Sequence, residues 1–310
     1  MPYLYTSQEM LDSEKVTQVL PEEKQLPLQG LYLGQRLAEM SVEIDRTLVI
    51  ADFLTDQNGV VAKEGEHHDF LVPTELKNTS DWRLFQELVA QADVIISGGA
   101  YLKSLAALGN DAQDILYQFE PGREFEKLGE WRLRAGYKKR SPDLAVVARN
   151  LDFEIPEEVL RSGRRIVICT TYATANSDQA RALTAPGLAV IGSGDVGVNG
   201  NQLIDYLSDE MGYGVIMMAS GPSVLNLLLE AKRLDLLYVT AAQREIPFDD
   251  PSTVKTLLPD GKKTGDLKEF SITHQYLQEN VVTEDGSLTS QLFLRYDSKS
   301  ILVGRRSNAS

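Results

Sequence analysis

Apolar positions in this chain gather into short runs separated by polar, glycine-containing turns, and the clearest run is VIMMA at 215–219. Its length and unbroken apolar character fit a strand buried on both faces. Ser220-Gly221-Pro222 interrupts it, and apolar residues then recur at helical spacing through Val224, Leu225, Leu228 and Leu229. Pro222 suits the first helical position, because its missing N–H is one the helix could not have used. Lys232 and Arg233 close the helix where its dipole favours cations. Residues 234–240 read as the next strand. The stretch is therefore predicted to be a βαβ unit with a helix N-terminus at the carboxyl edge of a sheet, where free N–H groups can hold phosphate. The alternative is a plain βαβ packing unit with no ligand.

The rest of the pattern extends this picture. TLVIADF (47–53) is a first strand, followed by TDQNG and VVA, with Gly59 after Asn58 as a turn signal. Ser80-Asp81 is expected to cap an amphipathic helix with Leu84, Phe85, Leu88 and Val89 on one face. Residues 93–97 form a short buried strand that runs into Gly98-Gly99-Ala100, small residues that allow close approach of a ligand or a packed neighbour. Residues 106–140 are a polar excursion bearing a helix. LAVVA (144–148) ends at Arg149-Asn150, and RIVICT (165–170) ends at Thr170-Thr171. After a long loop beyond Thr240, residues 270–276 and 292–296 alternate as late strands at an antiparallel edge. About eight strands with interleaved helices predict an α/β domain with a mixed sheet. Residues 1–46 are acidic and weakly patterned, an N-terminal arm whose segment 26–40 is apolar enough to pack on a domain spanning 47–310.

GSGDVG at 192–197 spells G-x-G-x-x-G after the strand-like LAVI. A dinucleotide fingerprint also needs the helix to open within the motif and an acidic residue about 20 positions on. Here Val198-Asn199-Gly200 delays the helix, no acid stands near Met218, and Asp195 would put negative charge into the cradle. The motif reads as a loop followed by a helix cap.

A net charge of −14 argues against nucleic acid or an anionic membrane surface as partner, while a phosphorylated ligand needs only local donors. The single cysteine, Cys169, permits neither an internal disulfide nor a cysteine zinc site and fits a reducing, cytoplasmic setting. The first residues lack the basic and apolar regions of a signal peptide, and no apolar run approaches the ~20 residues of a membrane helix. HHDF (67–70) holds two of the three histidines, with only His274 elsewhere and no H-E-x-x-H, so an exposed loop pair is expected rather than a metal site.

Five segments follow in order: ADFLTDQNGVVA (51–62), SDWRLFQELVAQADVIISGGAYLKS (80–104), RSPDLAVVARNLDF (140–153), IVICTT (166–171) and MASGPSVLNLLLEAKRLDLLYVT (218–240). In that order and spacing they resemble the riboflavin-biosynthesis pyrimidine reductases, the C-terminal reductase domain of the bifunctional deaminase-reductases. The resemblance implies a dihydrofolate-reductase-like three-layer α/β/α fold with a central mixed, mostly parallel sheet. It implies NADPH as cofactor, hydride transfer to a ribosylaminopyrimidine-type phosphorylated heterocycle, as in 5-amino-6-(5-phosphoribosylamino)uracil reductase, and a homodimer. Carried over position by position, Gly98, Gly99, Arg149, Thr170, Thr171, Ser220, Gly221, Pro222 and Ser223 would contact the cofactor. Arg149 would meet the 2′-phosphate, since a guanidinium fork matches phosphate. Asp52, Asp56 and Tyr101 would lie nearer the substrate.

The chain also departs from the family pattern. Ala219 and Ser220 stand where Glu-Gly is usual, Asp56 where serine is usual, Asn58 where aspartate is usual, and Tyr101 where threonine is usual. The deaminase half, with its H-x-E and P-C-x-x-C, is absent from the sequence. Two functions are therefore weighed: a reductase of this fold, and a family member that lost turnover and acts as a ligand-binding or interaction protein.

Overall fold

A computed structural model describes residues 14–65, 70–108, 118–155, 157–183, 185–259 and 261–307. The expected exposed pair His67-His68, residues 1–13 of the expected arm and residues 109–117 of the polar excursion lie outside the described residues. In chain order the strands are β1 Lys15–Leu20, β2 Lys24–Pro27, β3 Leu48–Thr55, β4 Val60–Glu64, β5 Phe70–Leu71, β6 Val94–Gly98 and β7 Asp143–Val147. They continue as β8 Ile166–Thr170, β9 Leu188–Gly192, β10 Val215–Met218, β11 Leu236–Ala242, β12 Val254–Thr256, β13 Phe270–Val282 and β14 Leu288–Ser298.

The described residues divide into two compact units. One holds residues up to Arg36, Ile50–Glu87 and Asp235 onward; the other holds Leu37–Val49 and Leu88–Leu234. The second unit is built on strands in the order β10-β6-β7-β8-β9, every neighbouring pair parallel. The apolar runs form strands here because both faces are covered: Val215–Met218 is buried along its whole length. On one face Leu144, Val146, Ile166 and Ile168 pack with Leu102, Leu151, Phe153 and Val159. Such side chains contribute about 1.5–3 kcal/mol each when fully buried. β10 follows β9 in sequence but lies beside β6, so the strand order reverses between β6 and β10.

The first unit carries the order β2-β1-β13-β14-β11-β3, antiparallel up to β11, with β11 and β3 parallel. A second antiparallel sheet, β12-β4-β5, stands apart from these. The cap of the helix Thr79–Val89 lies two residues before the expected Ser80, because Asn78 accepts the N–H of Asp81 at 2.9 Å. β13 and β14 run well past the expected late strands. Register shifts at Ile272/His274 and Gln278/Val281 break the period of two by which they would have been read. Segment 15–27, weakly patterned in sequence, forms β1 and β2, and β1 pairs with β13. The expected mixed α/β class, with a mostly parallel central sheet and flanking helices, is the architecture observed. No helix among the described residues is long and apolar enough to cross a membrane.

Candidate functional site

Because the strands of the second unit are all parallel, their carboxyl ends emerge on one edge: Ser220 after β10, Gly98 on β6, Arg149 after β7, Thr170-Thr171 on β8, and Gly192-Ser193 on β9. Open α/β sheets bind ligands at such an edge, where the strand order reverses. That point lies between Gly98 and Ser220. Register pairs Met218 with Ile96, which sets Ser220 level with Gly98, and a Cβ on Gly98 would stand 3.1 Å from Ser220 Oγ. Gly99 is equally confined, since its Cβ would lie 3.0 Å from the Ala148 methyl.

The helix Pro222–Glu230 opens at this point without a side-chain cap; Gly221 is its extended N-cap residue, and Val224 and Leu225 turn their N–H groups back to the Gly221 carbonyl. Gly221 and Ser223 are exposed. An uncapped N-terminus of this kind presents N–H donors and the positive end of the dipole. The loop at 192–199 is built differently. Gly194, at φ +82°, offers its carbonyl to Tyr172 N at 3.0 Å, and Ser193 N donates to Thr170 O at 2.7 Å. The helix Gly200–Asp205 starts after the motif, and the Asn199 side chain already accepts from Asn201 N and Gln202 N. The motif is a loop with a helix cap.

Arg149 is exposed, and its guanidinium has no acceptor among the described residues. Its backbone carbonyl accepts from Thr170 Oγ1 at 3.4 Å and from Thr174 Oγ1 at 3.2 Å, which anchors the residue and leaves the side chain free to reach outward. Thr170 is fully buried, and Thr171 spends its hydroxyl capping the turn Tyr172–Ala175 through Thr174 N. Tyr101 lays its ring on the apolar cluster beneath the edge, and its buried hydroxyl has no partner among the described residues. The hydroxyl of buried Ser97 likewise has none among the described residues. Burial pushes the Cys169 thiol up to about 12, which leaves it an inert core residue.

The first unit holds a different kind of site. Asp56, expected near the substrate, is buried and accepts from Asn58 N and Val60 N at 2.8 Å and from Ile246 N at 3.0 Å. Its carboxylate braces the turn between β3 and β4. Asp52 on β3 has a partner the sequence did not reveal, Asp81 in the first turn of the helix Thr79–Val89. Each keeps some surface open to solvent, yet protein crowds both. Burial pushes the Asp52 carboxyl well above the usual range, and the Asp81 charge pushes it further, against a backbone hydrogen bond at Phe53. Burial raises Asp81 to about 6, opposed by the hydroxyl of Thr240, which donates to it. Burial that raises a carboxyl in this way suits it to general acid work. The sequence carries no signal for the pair, because an acidic residue in a first helical turn already has an ordinary local role there.

The comparisons with known proteins bear on the fold. No protein-family model matches the chain, and no curated protein matches it. Among solved structures, a pyrimidine reductase-like protein from Corynebacterium diphtheriae is similar at TM-score 0.54 and 19% identity, over 83% of this chain and 94% of that one. RibD from Acinetobacter baumannii is similar at TM-score 0.51 and 11% identity, over 82% of this chain. This chain matches only 58% of the RibD length. At these identities the likeness is one of fold, the dihydrofolate-reductase-like α/β class.

Proposed function

We propose that the chain is an NADPH-dependent reductase whose acceptor is a phosphorylated heterocycle of the ribosylaminopyrimidine type. The observation that carries this reading is the carboxyl edge of the second unit. An uncapped helix N-terminus at Gly221-Pro222-Ser223 stands there beside Gly98, and the same edge bears the exposed guanidinium of Arg149, which has no acceptor among the described residues. These are the donors that a pyrophosphate and a 2′-phosphate require, so the residues present fit the cofactor. When bound, the cofactor supplies the hydride. Ser223 and the backbone N–H of Gly221 would bind the pyrophosphate beside Ser220 and Pro222, Arg149 would bind the 2′-phosphate, and Gly98 and Gly99 would allow the backbone to approach closely. The fold likeness to a pyrimidine reductase-like protein supports the substrate class. The resemblance further implies a homodimer, and the single cysteine fits a cytoplasmic setting.

A second reading, a ligand-binding protein without turnover, is favoured by one observation: the Asp56 carboxylate is fully engaged by backbone N–H groups. Titration of the full chain with NADPH and NADP by fluorescence or calorimetry tests the first reading. Saturable micromolar binding supports it, and no binding at millimolar cofactor overturns it. Binding without consumption of NADPH in the presence of the pyrimidine substrate leaves the second.

A further inference from the structure

The G-x-G-x-x-G loop at 192–197 holds an aromatic ring at the carboxyl edge of the second unit. Tyr172 begins the short turn after β8 and is 42% exposed. Its ring lies against the α-carbon of Gly192, where a Cβ would stand 2.7 Å from Tyr172 Cδ1 and 3.0 Å from the Tyr172 α-carbon. Gly192 lies in β9 without a left-handed backbone, so its missing side chain serves contact rather than conformation. The Gly194 carbonyl accepts from Tyr172 N at 3.0 Å. Tyr172 Oη donates to Gln202 Oε1 at 2.9 Å, on the helix that follows the loop. Exposure alone is ordinary for a single apolar side chain. What sets Tyr172 apart is that three contacts hold an open ring at the edge where a parallel sheet binds ligands. A ring held in this way has little side-chain freedom left to lose on binding.

We propose that Tyr172, held by this loop, is a binding residue that stacks on the adenine ring of the cofactor. This deepens the reductase reading above and rests on it. The turn Tyr172–Ala175 also carries Thr174, whose hydroxyl donates to the Arg149 carbonyl at 3.2 Å, so one turn joins the ring to the residue that bears the cation. In NADPH the 2′-phosphate and the adenine are borne by the same ribose. A 2′-phosphate held by Arg149 therefore leaves the purine one sugar away from that contact. Adenine presents a flat π face, which an aromatic side chain takes up whatever the base. Asp195, whose charge counts against phosphate in this loop, is no obstacle to a neutral base. The motif then serves the cofactor through a side chain outside it. Gly192 clears room for the ring, and Gly194, at φ +82°, turns its carbonyl onto the Tyr172 backbone.

The test is calorimetric titration of the full chain with NADPH, NADH and adenosine 2′,5′-bisphosphate, joined to NMR of the adenine H2 and H8 protons of the bisphosphate. Tyr172→Ala is expected to lose about tenfold in affinity for all three ligands, because each carries adenine. The ratio of NADPH to NADH affinity should survive in that variant, whereas Arg149→Ala erases it. Tyr172→Phe keeps the ring and should stay within about threefold of the unsubstituted chain. Bound bisphosphate should show upfield adenine shifts in the unsubstituted chain and in Tyr172→Phe. Those shifts should vanish in Tyr172→Leu, which fills the space without a ring current. Should Tyr172→Ala fail to fold, Tyr172→Leu decides on affinity as well. Unchanged affinity in the truncated variant, or adenine shifts that persist in Tyr172→Leu, overturns the proposal, while NADPH binding by the unsubstituted chain keeps the reductase reading standing. No binding of NADPH by the unsubstituted chain overturns both.

Discussion

The Gly98 α-carbon faces the Ser220 hydroxyl so closely that a methyl group built on it would stand 3.1 Å from Ser220 Oγ. The crowding atom is the end of a side chain that can rotate, so the fold can absorb the change at a cost of about 1 kcal/mol or less. A ligand backbone approach cannot absorb it. Gly98→Ala is therefore expected to keep its melting temperature within about 5 °C while losing about tenfold in NADPH affinity. Unchanged affinity would remove Gly98 from the cofactor edge.

Arg149 supplies the second prediction. Its carbonyl is held by Thr170 and Thr174, while its exposed guanidinium has no acceptor among the described residues. A 2′-phosphate there would gain charge-assisted hydrogen bonds of roughly 1.5–3 kcal/mol each. Losing one weakens NADPH binding by about one to two orders of magnitude, while NADH, which lacks that phosphate, is barely affected. Arg149→Ala should erase the preference between the two in a parallel calorimetric titration. Equal weakening of both cofactors would place the phosphate elsewhere.

The Asp81 carboxyl makes stability depend on pH in an unusual direction. An unfolded aspartate titrates near 4, whereas Asp81 keeps its proton to about 6 in the fold. The folded state therefore binds the extra proton between these values. The resulting stabilisation is fully present below about pH 4 and lost as pH rises through about 6. Allowing for the part of the side chain open to water, the loss is about 2 kcal/mol. Urea unfolding at pH 4, 5, 6 and 7 should show this decline in the unsubstituted chain and a flatter profile in Asp81→Asn. Matching profiles would mean that Asp81 titrates normally.

What could be read from the sequence divides along a physical line. The parallel strands of the second unit were legible because strands buried on both faces appear as uninterrupted apolar runs, as VIMM and IVIC do. The open helix at Pro222 was legible because Ser-Gly-Pro offers no capping side chain. The full length of β13 was not, since bulges near His274 and Asn280 shift the alternation within that strand. The Asp52–Asp81 pair was invisible for another reason. It is made by residues from a strand and a helix that meet only in three dimensions, and Asp81 near a helix start has an ordinary local explanation.

The G-x-G-x-x-G loop gives a prediction about two glycines. Gly194 has φ +82°, and a Cβ on it would meet the Gly197 carbonyl oxygen at 2.2 Å, so Gly194→Ala should destabilise the chain by about 1–3 kcal/mol regardless of any ligand. Gly197 has open space around its α-carbon. Gly197→Ala is therefore the clean probe, and it should leave both the melting temperature and NADPH affinity unchanged. A tenfold loss of affinity in that variant alone would move the pyrophosphate to this loop.

Asp56 separates bracing from catalysis. Its Oδ1 takes the N–H groups of Asn58 and Val60, and its Oδ2 takes that of Ile246, so one carboxylate ties the β3–β4 turn to the chain after β11. Asp56→Ala leaves three donors without their acceptor, and at about 1–3 kcal/mol for each buried donor the expected loss is about 3–5 kcal/mol after partial relaxation. Asp56→Asn can keep both bonds at one oxygen, but its amide would set an N–H group against Ile246 N. The expected loss is then about 1–3 kcal/mol. Both losses should appear in urea unfolding, and the folded Asp56→Asn chain should bind NADPH as the unsubstituted chain does. If Asp56→Asn were as stable as the unsubstituted chain yet consumed no NADPH with a substrate that the latter reduces, the carboxylate would belong to the chemistry rather than to the turn.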